Sequence, residues 1–168
     1  GMRLGLWLVL RHHLRIVHAR SYVASVMALA IKRITGIKYL FDMRGFWADE
    51  KLDGGWPHDG RMYRLAKGFE RRFLLEADHV VSLTHAAVTE MQRFPYLQGH
   101  MPSFTVIPTC ADLARFKPIP HECGGTGLVI GYVGSVARYM FDEVAACFAV
   151  LLRMRPDTLF LIVNRGVH

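Results

Sequence analysis

Cysteine is scarce in this chain. Cys110, Cys123 and Cys147 are odd in number and widely spaced, which excludes a zinc-ligand spacing or a disulfide framework and suits a reducing compartment. Long apolar runs are missing as well. The stretch "LGLWLVL" at 4–10 falls far short of the roughly 20 apolar residues that a bilayer crossing needs. Arg11, His12, His13 and Arg15 follow it without a small-residue cleavage site, so it does not read as a signal peptide. It reads as a short amphipathic helix, packed on the domain or touching a membrane surface. Acidic residues are the minority, 14 against 21 Lys plus Arg, for a formal charge of +7. That excess favours phosphorylated ligands, anionic membranes or nucleic acid without choosing among them. No aromatic stripe interleaves the basic helix face at 61–72, as base stacking would need, so nucleic acid is not an expected partner. No Ser, His and Asp set has nucleophile-elbow context, because "GYVGS" at 131–135 lacks the central serine.

What is present supports a packed core. The 168 residues are 52% hydrophobic and 21% charged, enough for one ordinary domain or two small pieces of domains. Gly1 ahead of Met2 reads as a residue left by tag cleavage, which makes Met2 the expected natural start. Short apolar runs at 14–18, 38–43, 79–84 and 103–108 predict strands. Periodic segments predict a helix from Ser21, as a possible N-cap, to a stop at Gly36, a second at 61–76, and a third from His85 stopped by Pro95. Residues 45–60, with Gly45, Gly54, Gly55, Pro57 and Gly60, read as a long polar loop of the kind that covers or binds something. This alternation predicts a parallel sheet covered on both faces, a Rossmann-like three-layer α/β sandwich. Composition then shifts across "RFKPIPHECGGTG" at 115–127, as a linker would. Beyond it, "LVIGYVGS" (128–135), a helix at about 141–153 and "TLFLIVN" (158–164) make one βαβ unit. Such a short piece can hardly close its own core, so the chain reads as a fragment or as one whose last unit packs on the first domain.

Ligands of open α/β sheets sit beyond the carboxyl ends of the strands. Those ends carry His18 and Arg20, Asp42 and Arg44, Thr84 and His85, Thr109 and Asp112, and Ser135. Asp42 with Arg44 is either an ion pair that holds the following loop or part of a groove walled by Phe46 and Trp47, as sugar rings often are. Asp49, Glu50 and Asp53 lie close enough in sequence for a hard cation but lack the oxygen spacing of a calcium loop, and no metal is expected. Gly131 and Gly134 form either a tight strand-to-helix turn or a diphosphate cradle; the third glycine and downstream carboxylate of a dinucleotide fingerprint are lacking. The basic face at 61–72 is either solvated or set against phosphate groups.

"VHARSY", "FDMRGFWADE", "ADHVVSLT", "VIPTCADLARF" and "IGYVGSVARY" occur in the order seen in retaining glycosyltransferases of the GT-B type, and the chain resembles glycosyltransferase family 4. The resemblance covers nearly all of 14–164 and is closest in flavour to bacterial enzymes of cell-surface glycan assembly. It implies a truncated GT-B fold: residues 1–116 as the C-terminal part of the acceptor-side domain, 117–127 as linker, and 128–168 as the first βαβ unit of the donor-side domain. The implied parent reaction moves a sugar, with retention, from a nucleotide-sugar donor to a hydroxyl of a glycan or lipid-linked acceptor, with no cofactor. His18, Arg20, Asp42 and Arg44 take the catalytic positions, although Arg20 stands where the family more often has a second histidine. Phe46, Trp47, Asp49 and Glu50 take the substrate groove. Gly131, Gly134, Ser135 and Arg138 take the donor diphosphate region, Arg138 substituting for a basic residue that has no secure match. The implied setting is cytoplasmic, with peripheral contact to the inner face of the plasma membrane. The family's early strands and paired donor-site glutamates have no counterpart here, so little activity is expected of the isolated chain. One alternative is a non-catalytic remnant whose exposed sheet edges bind a partner or a second copy. Another is a metal-dependent hydrolase built on Asp42, Asp49, Glu50 and Asp53.

Overall fold

The computed structural model describes residues 1–117, 127–134 and 141–164. Its first unit, Gly1–Asp112, is built on four strands: β1 (Ile16–Arg20), β2 (Lys38–Met43), β3 (His79–Ser82) and β4 (Phe104–Val106). All three pairings are parallel, in the order β1-β2-β3-β4, with Arg20 opposite Asp42, Asp42 opposite Val81, and Ser82 opposite Val106. Six helices belong to the chain's described elements: α1 (Met2–His12), α2 (Ser21–Thr35), α3 (Trp47–Asp53), α4 (Arg61–Glu76), α5 (His85–Gln92) and α6 (Phe141–Met154). The first strand lies two residues later than its apolar run suggests. His13 takes a left-handed conformation at the end of α1, and the Leu14 N–H donates to the Val9 carbonyl at 3.1 Å, so this residue closes a helix instead of opening a strand.

The helices α2 and α4 have the expected ranges, and α2 ends at Gly36 with φ 73°, where the Gly36 N–H returns to the Lys32 carbonyl at 2.7 Å. Ser21 is not the cap. Arg20 holds the N-cap position, and Ser21 is the first helical residue with φ 70°. The segment expected to be loop contains α3. "WADEKLD" has no Gly or Pro, and its Asp49 and Glu50 sit in the first turn, where the helix dipole favours negative charge.

The core lies on one side of the sheet. Tyr39, Phe41 and Met43 of β2 and Val80 of β3 are buried with Ala28 and Leu29 of α2, Phe73 and Leu74 of α4, and Met91 of α5. The intervening positions, Ile16, His18 and Arg20 on β1, Lys38 on β2 and Thr105 on β4, are exposed, with Leu40, Asp42 and Val81 half-buried among them. The expected three-layer sandwich is therefore not what the described elements of this unit form; they form two layers. Strand order supplies the reason. Each crossover steps the same way across the sheet, and right-handed crossovers that never reverse direction put every helix on the same face.

The second unit, Leu113–His168, contains β5 (Val129–Val133), α6 and β6 (Leu159–Val163), with the two strands parallel. Phe148 of α6 stacks on Phe160 of β6 with ring centroids 4.4 Å apart. Thr158 is the one buried side chain among its described residues, so the expected shortage of core is evident here. Most of the expected linker at 117–127, together with Ser135 and Arg138, lies outside the described residues. Both units alternate strand and helix around parallel sheets, the Rossmann-like α/β pattern.

Candidate functional site

The carboxyl ends of β2 and β3 open into a groove. Met43, the last residue of β2, is buried in the core, and the chain then delivers Arg44, Gly45 and Phe46 into a cavity of about 700 Å³. Glu50 and Asp53 of α3 border it, as do Ser82 at the end of β3 and Thr84 just beyond it. Thr84 is fixed as the cap of α5, its Oγ1 accepting the Ala87 N–H at 3.1 Å. A smaller cavity of about 210 Å³ shares Arg44, Gly45 and Glu50 and adds Ser21, Tyr22 and Trp47. Arg44 thus stands at the junction of two cavities. The tie from Arg44 to a carboxylate or loop carbonyl that its setting suggests is not formed: among the described residues Arg44 has no ion pair or side-chain hydrogen bond, and Asp42 turns to the other side of the sheet. Gly45 leaves room for the Glu50 carboxylate, since a Cβ there would lie 2.5 Å from Glu50 Oε1.

The two aromatics divide the work. Phe46 walls the larger cavity and packs edge-on against Phe94 at 5.9 Å, while Trp47 lines the smaller one between Tyr22 and Trp56, at 5.5 and 5.7 Å. Asp49 borders the groove but is engaged from below: Tyr63 Oη donates to Oδ1 at 2.8 Å and Lys67 Nζ to Oδ2 at 3.0 Å. Among the described residues no three of His, Cys, Asp and Glu are gathered to hold a metal ion. Of the four acids behind the hydrolase reading, Asp49, Glu50 and Asp53 border one cavity and Asp42 lies apart from them, with Asp42 and Asp49 already in ion pairs.

Under this floor runs a buried network that the sequence reading missed. Glu70 is fully buried and accepts hydrogen bonds from the Tyr22 hydroxyl and from Lys67 Nζ, which links it to Asp49. Burial, then the charge and hydrogen bond of Glu70, push the Tyr22 phenol far above its usual range. Burial alone would lower Lys67, but Glu70 and Asp49 outweigh it and the ammonium is held above its ordinary value. Lys67 is thus turned inward, away from the solvated basic face to which its neighbours Arg64, Arg71 and Arg72 belong. The signal was readable: Glu70 falls between Ala66 and Phe73 on the apolar side of α4, where an acid needs a partner.

His18, Arg20 and Asp42 meet elsewhere, on the open face of the sheet. Strand alternation points all three the same way, and His18 Nε2 lies 3.2 Å, Arg20 Nε 3.9 Å, from Asp42 Oδ2. They border a depression of about 490 Å³ with Thr109 and Cys110. The four residues assigned catalytic positions are therefore split into a triad and a separate Arg44, with Leu83 bordering both hollows. In the second unit Gly131 is paired within the β5–β6 ladder, and the Gly134 N–H donates to the Val163 carbonyl at 3.1 Å. That amide is committed to the sheet. Ser135 and Arg138 fall outside the described residues.

Residues 2–110 match the sequence profile of the glycosyl transferase 4-like domain. No curated protein matches the chain. The profile takes in every strand of the first unit, both hollows at their carboxyl ends and more than half of the chain. With its parallel α/β architecture and that match, the chain belongs to the glycosyl transferase 4-like family.

Proposed function

We propose that the chain carries the acceptor-side site of a retaining GT-B glycosyltransferase, which transfers a sugar from a nucleotide-sugar donor to a hydroxyl of a glycan or lipid-linked acceptor in cell-surface polysaccharide synthesis. One observation carries this reading: Arg44 is exposed and has no ion pair among the described residues at the strand ends, between two cavities, with Glu50 beside it and the Phe46 ring as a wall. A guanidinium donates to sugar hydroxyls, a carboxylate accepts from them, and an aromatic face covers the apolar side of a pyranose. Such an arrangement orients an acceptor hydroxyl and excludes water, which is positioning and not proton transfer. The His18, Arg20 and Asp42 triad is the second polar surface on offer to the reacting groups, and the donor diphosphate would fall to residues after β5, Ser135 and Arg138 included. A cytoplasmic setting goes with this reading.

The test is acceptor binding by saturation-transfer NMR with methyl glycosides of the common hexoses. Arg44→Ala should unfold at the wild-type urea midpoint, because Arg44 makes no ion pair or side-chain hydrogen bond among the described residues, and should weaken binding at least about tenfold, the loss of one charge-assisted hydrogen bond. Unchanged binding by a well-folded variant would overturn the assignment. A second reading, a self-associating remnant without catalysis, is favoured by the exposed apolar side chains of the open sheet face, Ile16 and Ile107 among them. Light scattering at low concentration separates the two, since a clean monomer that binds sugars leaves no place for the second.

A further inference from the structure

Lys67 belongs by sequence to a row of cations on α4, but its side chain goes elsewhere. Arg61, Arg64, Arg71 and Arg72 are exposed, whereas the Lys67 ammonium is turned towards α3. There it donates to Glu70, which is fully buried, and at 3.0 Å to Oδ2 of Asp49. The same nitrogen lies 6.0 Å from the centre of the Phe46 ring and 5.2 Å from that of Phe94, within reach of a cation–π attraction. A compact ammonium with three rotatable donors suits so mixed a set of partners. Lys67 itself borders neither cavity at the strand ends.

The short α3 needs a tie of this kind. Seven residues are too few for a helix to be stable by itself in water, and Gly45 precedes it while Gly54 and Gly55 follow it. Ala48 is buried and Trp47 packs between Tyr22 and Trp56. Those apolar contacts seat the helix but carry little direction. Direction comes from Asp49, whose carboxylate supplies the side-chain hydrogen bonds that join α3 to α4 among the described residues. Glu50 follows Asp49 by about 100° around the helix axis, so a rotation of α3 that frees Asp49 also moves Glu50 relative to the two cavities it borders.

We propose that Lys67 is a positioning residue of the sugar groove. Its charge holds α3 through Asp49 and the groove wall through Phe46, and so keeps Glu50 and Phe46 where they can meet a sugar. Neutralising Glu70 accounts for a lysine at this place, but a lysine serving Glu70 alone would need neither the second carboxylate nor the two rings. The identity of the ligand rests on the transferase reading; the tie to α3 does not.

The test pairs binding of methyl glycosides, by saturation-transfer NMR, with hydrogen exchange of the α3 amides and urea unfolding, all on the full chain. Asp49→Asn cuts the tie at α3 and leaves the pair of Lys67 and Glu70 intact. Its α3 amides should exchange about fivefold faster, as the loss of one partly exposed ion pair implies. Glycosides should bind about fivefold more weakly, because apparent affinity follows the fraction of chains with α3 in place. Lys67→Met with Glu70→Gln cuts the tie from the other end without leaving a buried charge unpaired. This double variant should regain most of the urea midpoint that Lys67→Met loses, yet bind glycosides as weakly as Asp49→Asn. Joining all three substitutions should weaken binding no further, since both variants remove one tie. Binding that returns together with the urea midpoint gives Lys67 a part in stability alone and overturns the proposal. A further loss in the combined variant places Asp49 against the sugar itself and overturns it too. A wild type that binds no glycoside sinks the transferase reading, and exchange measured without sugar then decides the tie: faster α3 exchange in Asp49→Asn upholds it, unchanged exchange overturns it.

Discussion

Ser21 joins β1 to α2 with no intervening loop, and the joint forces its backbone to φ 70°, left-handed space that a serine enters only under constraint. Its own carbonyl is held by the Ser25 hydroxyl at 2.7 Å. Ser21→Gly should therefore raise the unfolding free energy by about 1 kcal/mol, read from the urea midpoint, because glycine takes that φ without a Cβ clash. Gly45 presents the opposite case. The group that a Cβ would strike, 2.5 Å away, is the tip of the flexible Glu50 side chain, so the carboxylate can rotate aside. Gly45→Ala should change stability by less than about 0.5 kcal/mol, as other surface substitutions do, yet weaken methyl glycoside binding, since Glu50 leaves the groove. Stability that falls with binding intact would show that Gly45 serves the turn and not the site.

Two clusters tie the elements together. Asp78, between α4 and β3, accepts from Lys32 Nζ at 2.6 Å, from Lys38 Nζ at 2.9 Å and from the Tyr39 N–H at 2.9 Å. It thereby joins α2 to the start of β2. Burial works to raise its pKa, but the two lysines and the backbone donor outweigh that and hold the carboxyl well below its usual 3.8. A depressed folded value means the stabilisation is complete above about pH 4 and is lost as pH falls towards that folded value. Asp78→Asn should cost about 1–2 kcal/mol at pH 7, allowing for partial exposure. The gap from wild type in urea unfolding should narrow steadily below pH 4, and a gap independent of pH would refute the ionic account. Glu70 is the buried counterpart. Lys67→Met strips the Glu70 carboxylate of its cation and should cost about 3 kcal/mol, whereas Lys67→Met with Glu70→Gln should recover much of that loss.

At the scale of the molecule, the two units differ in what holds them. The first contains the buried cluster that runs from Ala19 to Leu97. In the second, Leu159, Leu161, Ile162 and Val163 of β6 are all exposed, and α6 buries no side chain among its described residues. A polypeptide of residues 1–112 should unfold cooperatively, with a sigmoidal urea transition by circular dichroism. Residues 113–168 alone should show no such transition, because a helix and two strands cannot bury enough apolar surface to offset chain entropy.

The amino-acid sequence determined the elements themselves. Apolar runs and periodic segments placed β2 and α4 at their observed ends, and Gly36 stopped α2, because these features act through neighbours a few residues away. It also placed charged residues at the strand ends, since alternation and strand direction are local properties. The short α3 was hidden by the glycines around it, and Lys67 by the arginines beside it, for the inward turn of that lysine depends on Glu70 meeting Tyr22, 48 residues distant in the chain. Strand order was likewise beyond the sequence. Alternating strands and helices are compatible with helices on both faces or on one, and only the order β1-β2-β3-β4 decides, through the handedness of each crossover. Among the described elements that order left one face of the sheet open, and the face on which Asp42 lies sent it to His18 and Arg20, away from Arg44 in the groove.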